Sequence, residues 1–225
     1  MSVSKVIVFG AHGKIGQHVI KLLSKLDYKT TAVVRNDEQA STIQKLADNS
    51  SNVSSTNLTI DEASVKDLSG SIKGNDAVIL TVGSAGKNLL QVDLDGVVKT
   101  FEASVEANVK RLILISAIHA ENREFGEKSQ IRDYYIAKHY ADRILIDEFS
   151  NKLDYTIIKP THLTDDPSTG KIDIIKNLNE DVGKISRTDV AKVLVEILNL
   201  KETYGKSYNI KNGSHDIDNP STYEA

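Results

Sequence analysis

The sequence predicts an α/β fold with a doubly wound, mainly parallel sheet and helices on both faces. Two observations support this prediction. Short β-branched runs alternate with longer amphipathic stretches along the 225 residues, as in successive strand–helix–strand units. The runs are apolar nearly throughout, which is typical of strands that helices cover on both sides.

The individual elements follow from the spacing of apolar residues. The predicted strands are 6–9, 30–34, 53–58, 77–82, 112–116, 155–158 and 207–210. Apolar residues three and four positions apart predict helices over 14–26, 88–107, 134–149 and 188–198. Asp37 and Asp189 are predicted helix caps or first-turn acids, because a carboxylate is favoured at the positive end of a helix.

The chain is expected to form a single domain over residues 1–225, since its length is typical of one compact core. Beyond Pro160 the strand signals become sparse and turn residues accumulate over 165–170. Residues from about 160 to 225 are therefore interpreted as a substrate-side lobe of that domain. The tail from Gly213 is expected to be loosely held.

Composition excludes several classes of function. A formal net charge of -3 argues against a partner that is nucleic acid or an anionic membrane. The absence of cysteine excludes disulfides and thiolate chemistry, and the six histidines show no metal-ligand spacing, so no metal is expected. No apolar run is long enough for a signal peptide or a bilayer span, which predicts a cytoplasmic protein.

A glycine-rich turn, Gly10-Ala11-His12-Gly13-Lys14-Ile15-Gly16, directly follows the first predicted strand and opens the first helix. In this position one glycine allows the tight turn, one lets the backbone approach a pyrophosphate, and one permits close helix–strand packing. The turn predicts a bound dinucleotide, and the alternative is a glycine turn without a ligand. The predicted cofactor contacts here are Gly10, His12, Gly13, Lys14, Ile15 and Gly16.

The choice of cofactor depends on the end of the second strand. NAD-preferring sites place an acid there, whereas this chain has Arg35, whose guanidinium can bind a 2′-phosphate. Lys14 adds a second positive charge in the glycine turn. NADP is therefore predicted, with NAD possible if Arg35 is only a solvated surface residue. Asp61, after the third strand, is placed either to contact the adenine amino group or to form a turn.

A candidate catalytic set lies near the fifth strand. Tyr134 and Lys138 are four residues apart on a predicted helix, so the phenol and the ammonium lie on one face. The ammonium is expected to lower the pKa of the Tyr134 phenol towards the range of a general acid or base. Ser116 ends the fifth strand at the carboxyl edge of the sheet, where ligands bind in such folds.

These residues occur among further markers spread over nearly the whole chain. The markers include Gly74-Asn75-Asp76-Ala77-Val78, Leu114-Ile115-Ser116-Ala117, Leu153-Asp154-Tyr155 through Pro160, and Ser186-Arg187-Thr188-Asp189-Val190-Ala191. Together they resemble the short-chain dehydrogenase/reductase superfamily. The chain is most similar to its atypical NAD(P)-binding branch, which contains NmrA-like, biliverdin/flavin reductase-like and small sugar epimerase-like proteins.

The resemblance implies roles for matching positions. Ser116, Tyr134 and Lys138 fall where the superfamily keeps its catalytic triad. Pro160 falls where backbone lines the nicotinamide end of the cofactor, and Gly83 ends the fourth strand beside it. One departure is Lys159-Pro160-Thr161, where the family often reads Arg-Pro-Gly.

The predicted function is NADP-dependent oxidoreduction, with hydride transfer and Tyr134 as the acid or base. The substrate is expected to be a small molecule such as a carbonyl compound, quinone or flavin. The alternatives are a non-catalytic NADP(H)-binding redox sensor and an NAD(P)-dependent sugar epimerase or dehydratase. His119 and His162 are either proton donors in the substrate pocket or ordinary loop residues. The oligomeric state is left open.

Overall fold

The computed structural model describes residues 2–179 and 182–224 and has the predicted α/β architecture. Within the described residues, a nine-stranded sheet lies between two layers of helices, and a further pair of short strands lies apart from it.

The strands and helices have these bounds. The strands are β1 Lys5–Phe9, β2 Lys29–Val34, β3 Val53–Asn57, β4 Ala77–Leu80, β5 Arg111–Ile115, β6 Asp154–Pro160, β7 His162–Thr164, β8 Lys171–Ile174, β9 Lys184–Ser186, β10 Lys206–Asn212 and β11 His215–Asp216. The helices are α1 Lys14–Leu23, α2 Asp37–Leu46, α3 Val65–Ile72, α4 Val97–Glu106, α5 Arg123–Lys128, α6 Arg132–Phe149 and α7 Arg187–Glu196. Short 3-10 turns follow α7 and end the chain, at Ile197–Asn199, Lys201–Thr203 and Pro220–Tyr223.

Seven strands of the sheet run parallel in the order β3-β2-β1-β4-β5-β6-β10, and β8 and β11 pair antiparallel at one edge. Strands β7 and β9 form the separate parallel pair. The order of the parallel strands places a switch point between β1 and β4. From β1 the chain winds outwards first through β2 and β3 and then through β4, β5 and β6. In open parallel sheets the crevice at such a point, beyond the carboxyl ends of the strands, receives the ligand. The residues that directly follow β1 and β4 are therefore candidates for contacts with a ligand.

Each face of the sheet has its own hydrophobic core. Along β1, Val6 and Val8 pack with α1, α2 and α7 on one face, and Ile7 and Phe9 pack with α3, α4 and α6 on the other. This explains why the strand has no polar alternation, since both of its faces are covered. Among the described residues, no helix has both the length and the apolar composition needed to cross a bilayer.

The predicted helix over 88–107 is not uniform. Its first part, Leu89–Gly96, is a π-helix that runs directly into α4. A Cβ at Gly96 would lie 2.9 Å from the Gln91 carbonyl oxygen, so this position has no room for a larger residue. The wider π turn leaves Asp93 facing the protein interior, where it is 1% exposed. Such insertions in helices often occur at functional sites.

The expectation of a loosely held tail is wrong. Tyr223, two residues from the end of the chain, is 1% exposed and packs edge-on against Tyr208 of β10. The Tyr208 hydroxyl donates to the Tyr223 carbonyl oxygen over 3.0 Å, and the Tyr223 hydroxyl donates to the Ile217 carbonyl oxygen over 2.9 Å. Buried aromatic area and satisfied hydroxyls therefore hold the tail against the sheet.

Asp189 joins three segments of the C-terminal part. It lies in the first turn of α7, as predicted, and its carboxylate accepts hydrogen bonds from Ser168, from the backbone of Thr169 and Gly170, and from Asn212. Burial disfavours the charged form, but these hydrogen bonds outweigh it and hold the pKa of Asp189 at about 2. The carboxylate thereby fixes the turn before β8 to α7 and β10.

Candidate functional site

The glycine turn between β1 and α1 has a steric reason for each glycine. Gly10 has a φ of +76°, and a Cβ there would lie 2.8 Å from the Thr81 carbonyl group. The Gly13 N–H donates to the Gly10 carbonyl oxygen over 2.9 Å, which closes the turn at the start of α1. A Cβ on Gly16 would overlap that same carbonyl oxygen. Only glycine lets the helix begin this close to the strand.

A cavity of about 540 Å³ lies beside this turn, at the carboxyl ends of β1, β2, β3 and β4. Six of the predicted cofactor contacts line it, namely Gly10, His12, Gly13, Arg35, Asp61 and Gly83. Ile15 and Gly16 lie behind the turn, buried in the first turn of α1. The start of α1 has no side-chain cap, so its backbone N–H groups are available to an anion.

Arg35 directly follows β2 at the rim of this cavity and is exposed. Its backbone N–H donates to the Gln39 side-chain oxygen over 3.0 Å, which joins it to the start of α2. Within residues 2–179 and 182–224 no carboxylate forms an ion pair with its guanidinium. Lys87, a further exposed cation, lines the same cavity.

Lys14, the predicted second positive charge of the glycine turn, forms an ion pair with an acid from the C-terminal part. Its ammonium is 2.9 Å from Asp165, which also pairs with Arg187 over 2.7 Å. Lys14 is not among the residues that line the cavity, and the turn after β7 places Asp165 beside its ammonium. The lysine that lines this cavity together with Arg35 is Lys87, which has no signal in the sequence. Lys87 lies in the loop after β4, and only the fold shows that this loop borders the cavity.

Asp61 is held in place by the loop that precedes the π-helix. Its carboxylate accepts a hydrogen bond from the Asn88 side chain over 3.1 Å, and its backbone carbonyl accepts one from Lys99 over 3.0 Å. These contacts fix the turn after β3, and the residue also lines the cavity. Both readings of Asp61, as a turn residue and as a cofactor contact, are compatible with this position.

Tyr134 and Lys138 do lie on one face of α6. The Lys138 ammonium is 5.7 Å from the centre of the Tyr134 ring and 3.4 Å from the Val82 carbonyl oxygen at the end of β4. It also lies 3.8 Å from the Asp93 carboxylate of the π-helix. Lys138 thus joins the predicted catalytic tyrosine to the loop that lines the cavity.

The electrostatic effect on Tyr134 is opposite to the expected one. Burial raises the pKa of the Tyr134 phenol well above its usual value, and the negative charge of Asp93 raises it further. Helical spacing brings the Lys138 ammonium to Tyr134 but does not reveal the buried Asp93 carboxylate beside that ammonium. Tyr134 is therefore fully protonated at neutral pH in this structure. Within the described residues its hydroxyl has no hydrogen-bond partner.

Ser116 follows β5 and belongs to a chain of buried polar groups. Its hydroxyl donates to Asp142 over 2.8 Å, and Lys159 lies 3.3 Å from the same carboxylate oxygen. Lys159 also pairs with Glu121 over 2.9 Å. Pro160 is buried at the end of β6, directly after this lysine. The departure at Lys159-Pro160-Thr161 therefore places a buried lysine beneath Ser116.

The two candidate histidines lie in different environments. His119 is buried, has a left-handed φ of 65° and stacks on Phe125 with ring centres 4.0 Å apart. Burial lowers the pKa of its imidazole, which favours the neutral ring. His162 is exposed at the start of β7. Among the described residues, no group of three or more histidine, aspartate and glutamate side chains could hold a metal ion.

Two functional-site carboxylates, Asp93 and Asp142, were missed from the sequence. Asp142 is four residues beyond Lys138, so the same helical spacing that joined Tyr134 to Lys138 could have included it. Asp93 has no comparable signal. Its inward orientation depends on the π turn, and regular helical spacing does not predict such a turn.

Comparison with known proteins agrees with this geometry. A family model described as NAD(P)H-binding matches residues 10–201. The matched region begins at the first glycine of the turn and includes the cavity, Tyr134 and Lys138.

Several relatives are similar over nearly their full length. The chain is 38% identical to the "Uncharacterized sugar epimerase YhfK" of Bacillus subtilis, over 95% of this chain and 96% of that protein. It is 36% identical to the UPF0659 protein YMR090W of Saccharomyces cerevisiae, over 97% of each. The crystal structure of the oxidoreductase ylbE from Lactococcus lactis superposes with a TM-score of 0.85 at 34% identity, covering 98% of this chain and 95% of that one.

Proposed function

The chain belongs to the NAD(P)H-binding family, and on that premise we propose that it is an NADP-dependent oxidoreductase acting on a small carbonyl compound, quinone or flavin. The observation that carries the proposal is the cavity beside the glycine turn. Its lining includes the glycine turn, Arg35 and Val82, and the Val82 carbonyl oxygen is 3.4 Å from the Lys138 ammonium, which lies on the same helical face as Tyr134. An NAD(P) cofactor requires such a combination of anion-binding backbone and catalytic side chains.

The residues of the cavity fit NADP. The glycine turn leaves no side chain between the start of α1 and a pyrophosphate, and the N–H groups of the first turn of α1, from Lys14 onwards, would bind it. Arg35 and Lys87 would hold a 2′-phosphate, because neither forms an ion pair within the described part of the chain. Asp61 would face the adenine. When bound, the cofactor supplies the hydride.

Tyr134 supplies the proton in this proposal. Its phenol is protonated at neutral pH and has no hydrogen-bond partner among the described residues, so it can donate to the oxygen of a substrate carbonyl. The Lys138 ammonium would then stabilise the phenolate that remains on Tyr134. Ser116 contributes an oxygen at the end of β5. Reduction is favoured as the direction because the raised pKa keeps Tyr134 in its protonated form, which can donate a proton but cannot accept one.

Cofactor choice is tested by titrating NADPH and NADH against the protein and following nicotinamide fluorescence. Arg35→Ala should weaken NADPH binding about tenfold or more, since a hydrogen bond to a charged group contributes about 1.5–3 kcal/mol. NADH binding should change little. Arg143→Ala, on the exposed side of α6, is the matched control. Equal losses for both cofactors would contradict the 2′-phosphate assignment.

Turnover is tested with NADPH and a panel of simple acceptors: menadione, an aromatic aldehyde and flavin mononucleotide. We expect NADPH oxidation with at least one of them, and a loss of about 100-fold or more in Tyr134→Phe at unchanged NADPH affinity. NADPH binding without oxidation of any acceptor would favour the redox-sensor alternative.

The name of the Bacillus subtilis relative supports a sugar epimerase as a second candidate. An epimerase would need Tyr134 to remove a proton first, which the raised pKa of its phenol opposes. Incubation with nucleotide sugars, followed by proton NMR of the anomeric signals, distinguishes the two. Interconversion of epimers would favour this candidate over the reductase.

A further inference from the structure

We propose that Asp93 is a positioning residue of this site: it is the counter-ion that keeps the buried Lys138 ammonium charged and directed at the loop after β4. The proposal deepens the function proposed above and rests on it only for its catalytic purpose. The ion pair itself is a property of the protein without cofactor or substrate.

Asp93 is held rigidly inside the protein. It is 1% exposed, and one carboxylate oxygen, Oδ2, accepts the Ser84 backbone N–H over 2.9 Å. The other oxygen, Oδ1, is buried and has no hydrogen-bond partner within the described residues. It lies 3.8 Å from Lys138 Nζ. A buried carboxylate oxygen without a hydrogen bond is costly unless an opposite charge offsets it, and Lys138 supplies that charge.

The buried Lys138 ammonium in turn requires a negative charge near it. It is 4% exposed, and in the described part of the chain its one hydrogen bond is the 3.4 Å contact with the Val82 carbonyl oxygen. Burial alone lowers the pKa of this ammonium, and the carboxylates of Asp93 and Asp142 act against that. An ammonium in such surroundings loses its proton unless a carboxylate compensates it.

The groups around Lys138 show which carboxylate is available to compensate its charge. Asp142, one turn beyond Lys138 on α6, already accepts the Ser116 hydroxyl and pairs with Lys159. Tyr134, one turn before it, is neutral. Asp93 is the carboxylate that pairs with no second cation among the described residues. Its charge is therefore the one available to Lys138.

The arrangement has a purpose in the proposed reaction. An ammonium has three N–H groups, and the one hydrogen bond at 3.4 Å leaves the others free. A charged Lys138 can then stabilise the Tyr134 phenolate after proton transfer, because its ammonium lies 5.7 Å from the centre of that ring. The Asp93 carboxylate, 3.8 Å away, keeps Lys138 charged without forming a short hydrogen bond to its N–H groups.

The test is the titration of Lys138, followed by NMR of ¹⁵N-labelled lysine ammonium groups in the cofactor-free protein. Lys138→Met identifies the signal by its disappearance. In Asp93→Asn we expect the titration midpoint of Lys138 to fall by at least one pH unit. Asp95→Asn, on the same π-helix but at an exposed carboxylate that pairs with Lys99, should leave the midpoint unchanged. An unchanged midpoint in a folded Asp93→Asn protein would overturn the proposal.

Failure of Asp93→Asn to fold is also informative, because the double variant Asp93→Asn/Lys138→Met removes both charges. A buried charge left alone is more destabilising than the absence of the pair. We therefore expect a higher Tm for the double variant than for Asp93→Asn. If both unfold equally, Asp93 serves Ser84 and not Lys138, and the proposal is wrong. Neither measurement uses cofactor or turnover, so a failed reductase assay does not affect them.

Discussion

Ser116 and Asp142 are joined by a hydrogen bond of 2.8 Å in which the serine hydroxyl is the donor. A hydroxyl has one hydrogen, so Ser116 presents only its lone pairs to anything bound above it. The serine is thus an acceptor in this structure, and the family resemblance alone does not reveal that. A substrate hydroxyl, or the Tyr134 phenol, can donate to it.

The Asp142 carboxylate should stabilise the fold through Lys159. In Asp142→Asn the buried lysine keeps Glu121 but loses its second partner, and we expect a loss of about 2 kcal/mol or more in the free energy of unfolding. Urea denaturation measures it. The matched control is Asp147→Asn, at an exposed ion pair on the same helix, where the loss should stay within about 0.5 kcal/mol. Equal losses would contradict the role of Asp142.

The close contact at Gly16 predicts a coupled loss of stability and cofactor binding. In Gly16→Ala the new methyl group meets the Gly10 carbonyl oxygen, and we expect a cost of about 1–3 kcal/mol and weaker NADPH binding. Gly70→Ala, in α3, has nothing within 4 Å and should be neutral or stabilising. Denaturation and fluorescence titration measure the two effects. A Gly16→Ala protein with normal affinity would show that the turn adjusts.

Asp189 predicts acid sensitivity of the C-terminal part. Its pKa is about 2 in the folded protein, below the usual 3.8, so the unfolded chain takes up the proton more readily. The stability it contributes is fully present above pH 3.8 and is lost as the pH falls towards 2. Asp189→Asn should flatten the decline of the unfolding free energy in that window. Asp133→Asn, at an exposed first-turn acid of α6, should leave the decline unchanged.

The packed tail predicts that Tyr223 matters for stability. Tyr223→Ala removes a buried ring and its hydrogen bond to Ile217, so we expect a loss of about 3 kcal/mol or more. Tyr140→Ala, at an exposed ring on α6, should cost less than about 1 kcal/mol. Thermal unfolding distinguishes them. Similar Tm values for the two variants would support the loose tail that the sequence suggested.

The parallel strands were well predicted from the sequence, because they form short runs that are apolar on both faces of the sheet. In β1, for example, Ile7 packs on one face and Val8 on the other. Helices α3 and α5 and the short strands β7, β8, β9 and β11 were missed. These elements depend on capping and long-range pairing more than on periodicity. Ser64, for example, starts α3 through a capping box with Asp67, which no apolar pattern marks.

Within the site, local spacing placed Tyr134 and Lys138 on one face but misjudged the sign of their electrostatics. The pKa of a buried phenol depends on every charge around it, and Asp93 comes from another helix 41 positions earlier in the chain. The contact of Lys14 with Asp165, 151 positions further along the chain, has no local signal either. Spacing along the chain does not predict charge pairs between residues that are far apart in the sequence.

The two cores on either side of β1 have a consequence for how this protein can change. Val6 and Val8 fill one core while the larger Ile7 and Phe9 fill the other. Inserting or deleting one residue in β1 would exchange the two sets and displace Gly10 from its contact with Thr81. The length of this strand is therefore fixed, and tolerated insertions should be confined to the loops at the opposite, amino-terminal edge of the sheet.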